Sequence, residues 1–225
     1  MSSTPPRQPV VILISGRGSN MRALIERSHD GHSAYSVVAV IADRSDAGGL
    51  EIARHLKVVA RALPAPKEMN RGAYEGVLAS AIEEYAPSLI VLAGFMRILS
   101  AQFVERFAGK ILNIHPSLLP KYTGLHTHRR ALEARDPEHG VTVHFVTEQL
   151  DGGPRVLQAR VPIMPGDTEA TLSQRVLIQE HVIYPLAVSW FCQGRLRCAG
   201  GKAWLDNRPL DEPVQIADVE AERSA

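Results

Sequence analysis

Cysteine is nearly absent: the 225 residues contain two, Cys192 and Cys198. They match no metal or redox spacing, so a packing role and a reducing, cytoplasmic setting are the expectation. Charge of one sign is also missing, because 25 Lys and Arg against 24 Asp and Glu leave a formal net charge of +1. No broad field therefore points to nucleic acid or a membrane surface as a partner. No apolar run has the length to span a bilayer. Behind the polar start MSSTPPRQP, the run Val10 to Ile14 is too short for a signal-peptide core. There is no internal repeat. What is present is ordinary globular composition, 45% hydrophobic and 22% charged, in a chain long enough for one sizeable core. Residues 1–9 read as a flexible leader, 10–210 as a single domain, and 211–225 as a polar, acidic tail that frays.

The domain opens on Val10-Val11-Ile12-Leu13-Ile14, a continuous aliphatic run expected of a parallel strand buried on both faces. Ser15-Gly16-Arg17-Gly18-Ser19-Asn20 follows, then a helical pattern from Met21 to about Arg27. A strand, a glycine turn and a helix start form an anion site, because glycines admit close approach and the first helical N–H groups are free. No third glycine and no Lys-Ser/Thr follows, so neither the dinucleotide fingerprint nor the P-loop is present. The pattern suggests a phosphate on a small ligand, with an empty βα turn as the plain alternative.

Strand and helix patterns then alternate. Strands are expected at Val37–Ala42, Val58–Ala60 and Leu89–Ala93, with helices at 47–55, 71–85 and from the Ser100 N-cap to Arg106. Val141–Val146 and Val156–Val161 read as an antiparallel addition. Thr168 begins a long helix to about Tyr184 that Pro185 should break or kink, with a second segment from Leu186 to Cys192 and a last short strand at Lys202–Leu205. The fold class is α/β: a Rossmann-like, mostly parallel twisted sheet flanked by helices, with an antiparallel C-terminal addition.

The chain is organised around Ile111-Leu112-Asn113-Ile114-His115-Pro116-Ser117-Leu118-Leu119-Pro120. On a strand Asn113 and His115 project to one face, and Pro116 ends the strand so that the pair stands at its carboxyl end, where open α/β sheets bind ligands. An amide donor beside an imidazole suits acyl transfer; a buried amide and a satisfied core histidine are the plain alternative.

Taken together, the glycine turn, Leu92-Ala93-Gly94-Phe95-Met96-Arg97-Ile98-Leu99, the Asn113–Pro120 segment, Gly124-Leu125-His126-Thr127-His128, His144-Phe145-Val146, Leu150-Asp151-Gly152-Gly153-Pro154 and Gln179-Glu180-His181 resemble the folate-dependent phosphoribosylglycinamide formyltransferases. The motifs occur in the family's order and cover about Val10 to Leu210. The resemblance implies the formyltransferase fold, with 10–110 as a phosphate-binding half and 111–210 as a catalytic and folate-binding half. It implies that Gly18, Ser19 and Asn20 hold the phosphate of glycinamide ribonucleotide and that Glu180 lies against the same substrate. Arg71, Met96, Arg97, Ile98, Leu99 and Leu150 match folate-binding positions, and Asn113, His115 and Asp151 match the catalytic trio. Two departures stand out: Arg17 where some members have Asn, and Thr123 in place of a common proline.

The implied reaction moves a formyl group from 10-formyltetrahydrofolate, a co-substrate, to the primary amine of the ribonucleotide. Asn113 and protonated His115 would stabilise the oxyanion, with Asp151 favouring the charged ring and ordering a water for proton transfer. No metal is implied. His126 and His128 could with His115 or His144 suggest zinc, but no cysteine or closely spaced third ligand supports it. Small-molecule substrates are the expected partners, and members include monomers and dimers, so a homodimer is among the arrangements allowed. A formyltetrahydrofolate deformylase, a methionyl-tRNA formyltransferase and a silent phospho-sugar-binding module are the competing readings. An Asp-Gly turn, a solvated Arg71 and a solvated Glu180 are the plain readings of those residues, with His144 expected to be structural.

Overall fold

A computed structural model describes residues 6–224. In chain order the elements are β1 (Gln8–Ile14), α1 (Ser19–Ser28), β2 (Tyr35–Ala42), α2 (Gly49–His55), β3 (Val59–Ala62), α3 (Arg71–Glu83), β4 (Leu89–Leu92), α4 (Ala101–Arg106) and β5 (Ile111–His115). Then follow α5 (Thr127–Glu133), β6 (Glu138–Phe145), β7 (Arg155–Pro162), α6 (Glu169–Cys192), β8 (Leu196–Ala199), β9 (Lys202–Leu205), β10 (Arg208–Pro209), β11 (Val214–Gln215) and α7 (Ile216–Ser224). An eight-stranded sheet runs in the order β11-β7-β6-β5-β4-β1-β2-β3. Strands β1 to β5 pair in parallel, while β6 is antiparallel to both β5 and β7.

The alternation of side chains along β1 divides the core in two. Val10, Ile12 and Ile14 pack on one face with Met21, Leu24 and Ile25 of α1 and Ile183, Tyr184 and Val188 of α6. Val11 and Leu13 pack on the other with Tyr74, Leu78 and Ile82 of α3, Phe103 of α4 and Phe107 just after it. Both faces being covered explains why the strand reads as an unbroken apolar run.

Four expectations are corrected. The leader is ordered by Arg7, whose guanidinium donates to the carbonyls of Ser28, Asp30 and Gly31 at 3.0, 2.9 and 3.1 Å, and β1 begins at Gln8; residues 1–5 of that leader lie outside the described residues. The tail instead forms β11, parallel to β7, and α7, because Val214 finds an open sheet edge. The strand expected at Lys202–Leu205 is present with those bounds but is not the last: it is the centre of a second, three-stranded sheet, β10-β9-β8, and β10 and β11 follow it. Helix α6 runs through Pro185 without ending. Proline removes one helical hydrogen bond, but the turns on either side bury Ile183, Tyr184, Ala187 and Val188, and the Tyr184 hydroxyl donates to Leu92 O and Leu112 O at 2.9 and 3.0 Å.

Candidate active site

The glycine turn after β1 is fixed by close packing. Gly18 has φ 76°, and a Cβ there would stand 3.0 Å from the Gly49 Cα of α2. Only glycine combines that left-handed backbone with that approach at no steric cost. Gly49 N donates to Gly16 O at 3.0 Å, and Ser15 Oγ accepts from Met96 N at 2.8 Å, joining this turn to the one after β4. Ser19 and Asn20 then open α1, where backbone N–H groups have no intrahelical acceptor. Far along the chain, Glu180 of α6 comes to the same corner: Asn20 Nδ2 donates to its Oε2 at 2.5 Å. Burial pushes the Glu180 carboxyl above its ordinary range, with the Asn20 amide acting against it. Asn20 Oδ1 is buried with no partner among the described residues.

On β5, Ile111 packs against α4, and the pleat places Asn113 and His115 on that same face. Asn113 sits opposite His144 in the antiparallel register. Its Nδ2 donates to His144 Nε2 at 3.2 Å, which leaves the His144 proton on Nδ1, donated to Phe145 O at 2.9 Å. Burial pushes His144 down to about 4, so the ring is a neutral acceptor near neutral pH. One amide hydrogen of Asn113 is thereby used and the other remains for a ligand.

His115 is almost fully buried, with Nε2 at 2.9 Å from Tyr122 O and Nδ1 at 3.5 Å from Asp151 Oδ2. A carbonyl only accepts, so Nε2 carries a proton, and the second nitrogen faces a carboxylate. Asp151 comes from the β6–β7 loop, which folds back up the sheet face. Its Oδ2 accepts from Gly124 N at 2.8 Å, and Oδ1 lies 3.9 Å from His144 Nε2. Of the two glycines after it, Gly153 is required by contact, since a Cβ there would lie 1.9 Å from Phe145 O.

The remaining residues of interest surround this cluster unevenly. Arg71, first residue of α3, gives Nε to Glu75 at 3.0 Å and keeps about half its side chain in solvent. Arg97 bonds Asp43 at 2.9 Å and stacks on the Tyr74 ring, 4.4 Å from its centroid. Met96 and Ile98 stand 69% and 59% exposed, and Leu150 52%. Leu99, by contrast, is buried in the α3/α4 core, so it presents no side chain to a ligand. Ser15, Gly16, Asp43, Arg44, Gly94, Met96 and Arg97 line a cavity of about 390 Å³ beside the turn. His128 pairs with His139, Nδ1 to Nε2 at 3.1 Å, rather than with His115 or His144. Among the described residues no three His, Cys, Asp or Glu side chains gather as a metal site. Sequence reasoning missed the two backbone groups, Tyr122 O and Gly124 N, that grip His115 and Asp151; no side-chain pattern signals them. It also missed that His144 touches both Asn113 and Asp151, although its place on an alternating strand was a usable signal.

Known proteins share both the sequence and the fold. Residues 8–188 match the formyl transferase family. The chain is 52% identical over 209 residues, 93% of its length and 99% of the relative's, to phosphoribosylglycinamide formyltransferase of Escherichia coli (strain K12). The structure of the Coxiella burnetii phosphoribosylglycinamide formyltransferase superposes with a TM-score of 0.89 at 46% identity, covering 93% of this chain and 100% of that one. A Pseudomonas syringae formyltetrahydrofolate deformylase shares the fold, with a TM-score of 0.82 at 21% identity over 89% of this chain and 66% of its own. No helix among the described residues is long and apolar enough to cross a membrane. The chain belongs to the formyl transferase family, and within it to the phosphoribosylglycinamide formyltransferases.

Proposed function

We propose that the protein transfers the formyl group of 10-formyltetrahydrofolate to the primary amine of 5'-phosphoribosylglycinamide, a step of de novo purine biosynthesis. The observation that carries this reading is the convergence of Asn113, His115, His144 and Asp151 on the α3/α4 face of the sheet, while the Asn20–Glu180 pair stands on the other. Two ligands can therefore approach from opposite faces and meet above the carboxyl ends of β1, β4 and β5. That is the crevice beside the point where strand order reverses.

In this reading the N–H groups of Gly18, Ser19 and Asn20 hold the phosphate, and Glu180 accepts from the ribonucleotide. The exposed Met96, Ile98 and Leu150 fit a flat heterocycle, with Arg71 and Arg97 available to the anionic tail. As the amine attacks the formyl carbon, the free Asn113 N–H donates to the oxygen that gains charge, and the protonated His115 ring, its nitrogens held by Tyr122 O and Asp151, stabilises that oxygen by its charge. The neutral His144 fixes the orientation of the Asn113 amide. Asp151 stabilises the protonated His115 ring and, through an ordered water, passes the proton leaving the amine to the folate nitrogen, so that the bond from that nitrogen to the formyl carbon breaks and tetrahydrofolate leaves. These groups need no covalent intermediate on the protein; most of the acceleration comes from alignment and prearranged donors.

The test is an absorbance assay of the folate product with 10-formyltetrahydrofolate, run with and without the ribonucleotide. Turnover only in its presence is expected. Turnover with water alone, indifferent to the ribonucleotide, would make the protein a deformylase. Folate or ribonucleotide binding without turnover in either assay would leave a binding module.

A further inference from the structure

Residues 116–126 form no helix or strand, yet they supply both backbone groups that grip the catalytic pair, Tyr122 O on His115 and Gly124 N on Asp151. A hydrogen-bond ladder does not set the path of this loop. Three polar side chains for which the reaction has no use are buried here, Ser117 in the loop and Thr142 and Gln158 beneath it, at 0%, 0% and 4% exposure. Burial of such groups is costly unless each is paired.

Each is paired. The Thr142 hydroxyl donates to Ser117 O at 2.7 Å and accepts from Leu119 N at 3.1 Å and from Gln158 Nε2 at 2.9 Å, which uses its one hydrogen and both lone pairs. Gln158 Nε2 also donates to Leu119 O at 2.9 Å, and its Oε1 accepts from Gln215 Nε2 at 3.3 Å. Ser117 Oγ donates to Lys121 O at 2.7 Å. Leu119 O receives a second donor, Arg155 Nη1, at 2.9 Å. The strand register explains how the side chains meet. His115 pairs with Thr142, Thr142 with Gln158, and Gln158 with Gln215, one row across β5, β6, β7 and β11. The row starts at the catalytic imidazole and ends on the carboxyl-terminal edge strand.

We propose that Gln158 is a positioning residue: through Thr142 and the Leu119 carbonyl it holds the 116–126 loop so that Tyr122 O and Gly124 N keep His115 and Asp151 in contact, and β11 closes the row through Gln215. A fully satisfied buried network specifies one arrangement where an apolar core would tolerate several. The loop therefore owes its single path to these side chains. The kinetic half of the test rests on the formyl-transfer reading; the exchange half does not.

Gln158→Leu keeps the side-chain size and removes both donors and the acceptor. With folding checked by circular dichroism, amides 121–125 are expected to exchange with deuterium at least about tenfold faster than in the parent, the loop having lost its anchor. The kcat should fall about 10- to 100-fold, the scale of a small misplacement of reacting groups. The KM for the ribonucleotide should stay within about twofold, because Gly18 to Asn20 and Glu180 lie across the sheet. Gln215→Leu, a milder change at the sheet edge, should move the same quantities in the same directions by about threefold, and it decides the matter if Gln158→Leu does not fold. Unchanged exchange and kcat in a folded variant would overturn the proposal. So would kcat and KM worsening together in step with thermal stability, which would make the row merely structural. If the parent shows no formyl transfer but the 121–125 amides still loosen, the functional reading fails and the loop assignment stands.

Discussion

The two corners of the cleft are made of different material. At the glycine turn the working groups are backbone N–H donors at the start of α1, held by one close approach between Gly18 and Gly49 and capped by the Asn20–Glu180 bond. At the imidazole corner the working groups are side chains from β5, β6 and a returning loop, held by register and a buried polar row. The first presents backbone groups, so it depends on the glycines that let the chain approach more than on most side chains around them. The second depends on residues brought together across the sheet, so damage anywhere along the row reaches the chemistry.

The largest separation between the corners should come from the chemistry itself. His115→Ala and Asp151→Asn are expected to lower kcat about 10³- to 10⁴-fold, roughly 4–5.5 kcal/mol in transition-state stabilisation, with ribonucleotide binding little changed. Steady-state kinetics and calorimetric titration of the ribonucleotide check both halves. Equal losses in binding and turnover would erase the distinction.

Acid should injure the imidazole corner next. Burial pushes His139 and His144 from 6.5 down to about 4, so the unfolded chain binds more protons across that interval. Stability is therefore greatest above pH 6.5 and falls as pH drops towards 4. The loss is at most about 3 kcal/mol for His144, and urea melts across this range measure it. His144→Gln should flatten the slope; an unchanged slope would place the acid sensitivity elsewhere.

Gly18→Ala probes the other corner. A left-handed alanine pressed on Gly49 should cost about 1–2 kcal/mol and raise the ribonucleotide KM about tenfold, while kcat at saturation stays near the parent value. At the small end, Arg22→Ala removes an exposed i,i+4 pair with Glu26 on the same helix. It should change stability by no more than about 0.5 kcal/mol, fixing the background against which the others are read.

Legibility followed the same division. The βα turn could be read from a short window because strand, glycine and helix start each leave a local mark, and the shared face of Asn113 and His115 was legible from period two alone. Asp151 was not, since Asp-Gly in a turn looks the same whether or not its carboxylate reaches a histidine; only resemblance to the family singled it out. The row of Thr142, Gln158 and Gln215 depends on the register of strands distant in sequence, which no local window carries. Strands β8, β10 and β11 are too short for their period to show, and Pro185 misled because buried contacts on both sides outweigh one missing hydrogen bond.

Met96, Ile98, Leu125 and Leu150 stand in water at 69%, 59%, 71% and 52% exposure, on the segments that bracket the catalytic cluster. Holding apolar side chains in solvent has a calorimetric consequence. A heterocycle laid over them removes apolar surface from water, so binding carries a negative heat-capacity change. About 200 Å² of buried apolar surface corresponds to roughly −90 cal/mol/K, so the heat of folate binding should grow by about 2 kcal/mol between 15 and 35 °C. The temperature dependence of that heat thus measures, without any reaction, how much of this greasy rim a ligand covers.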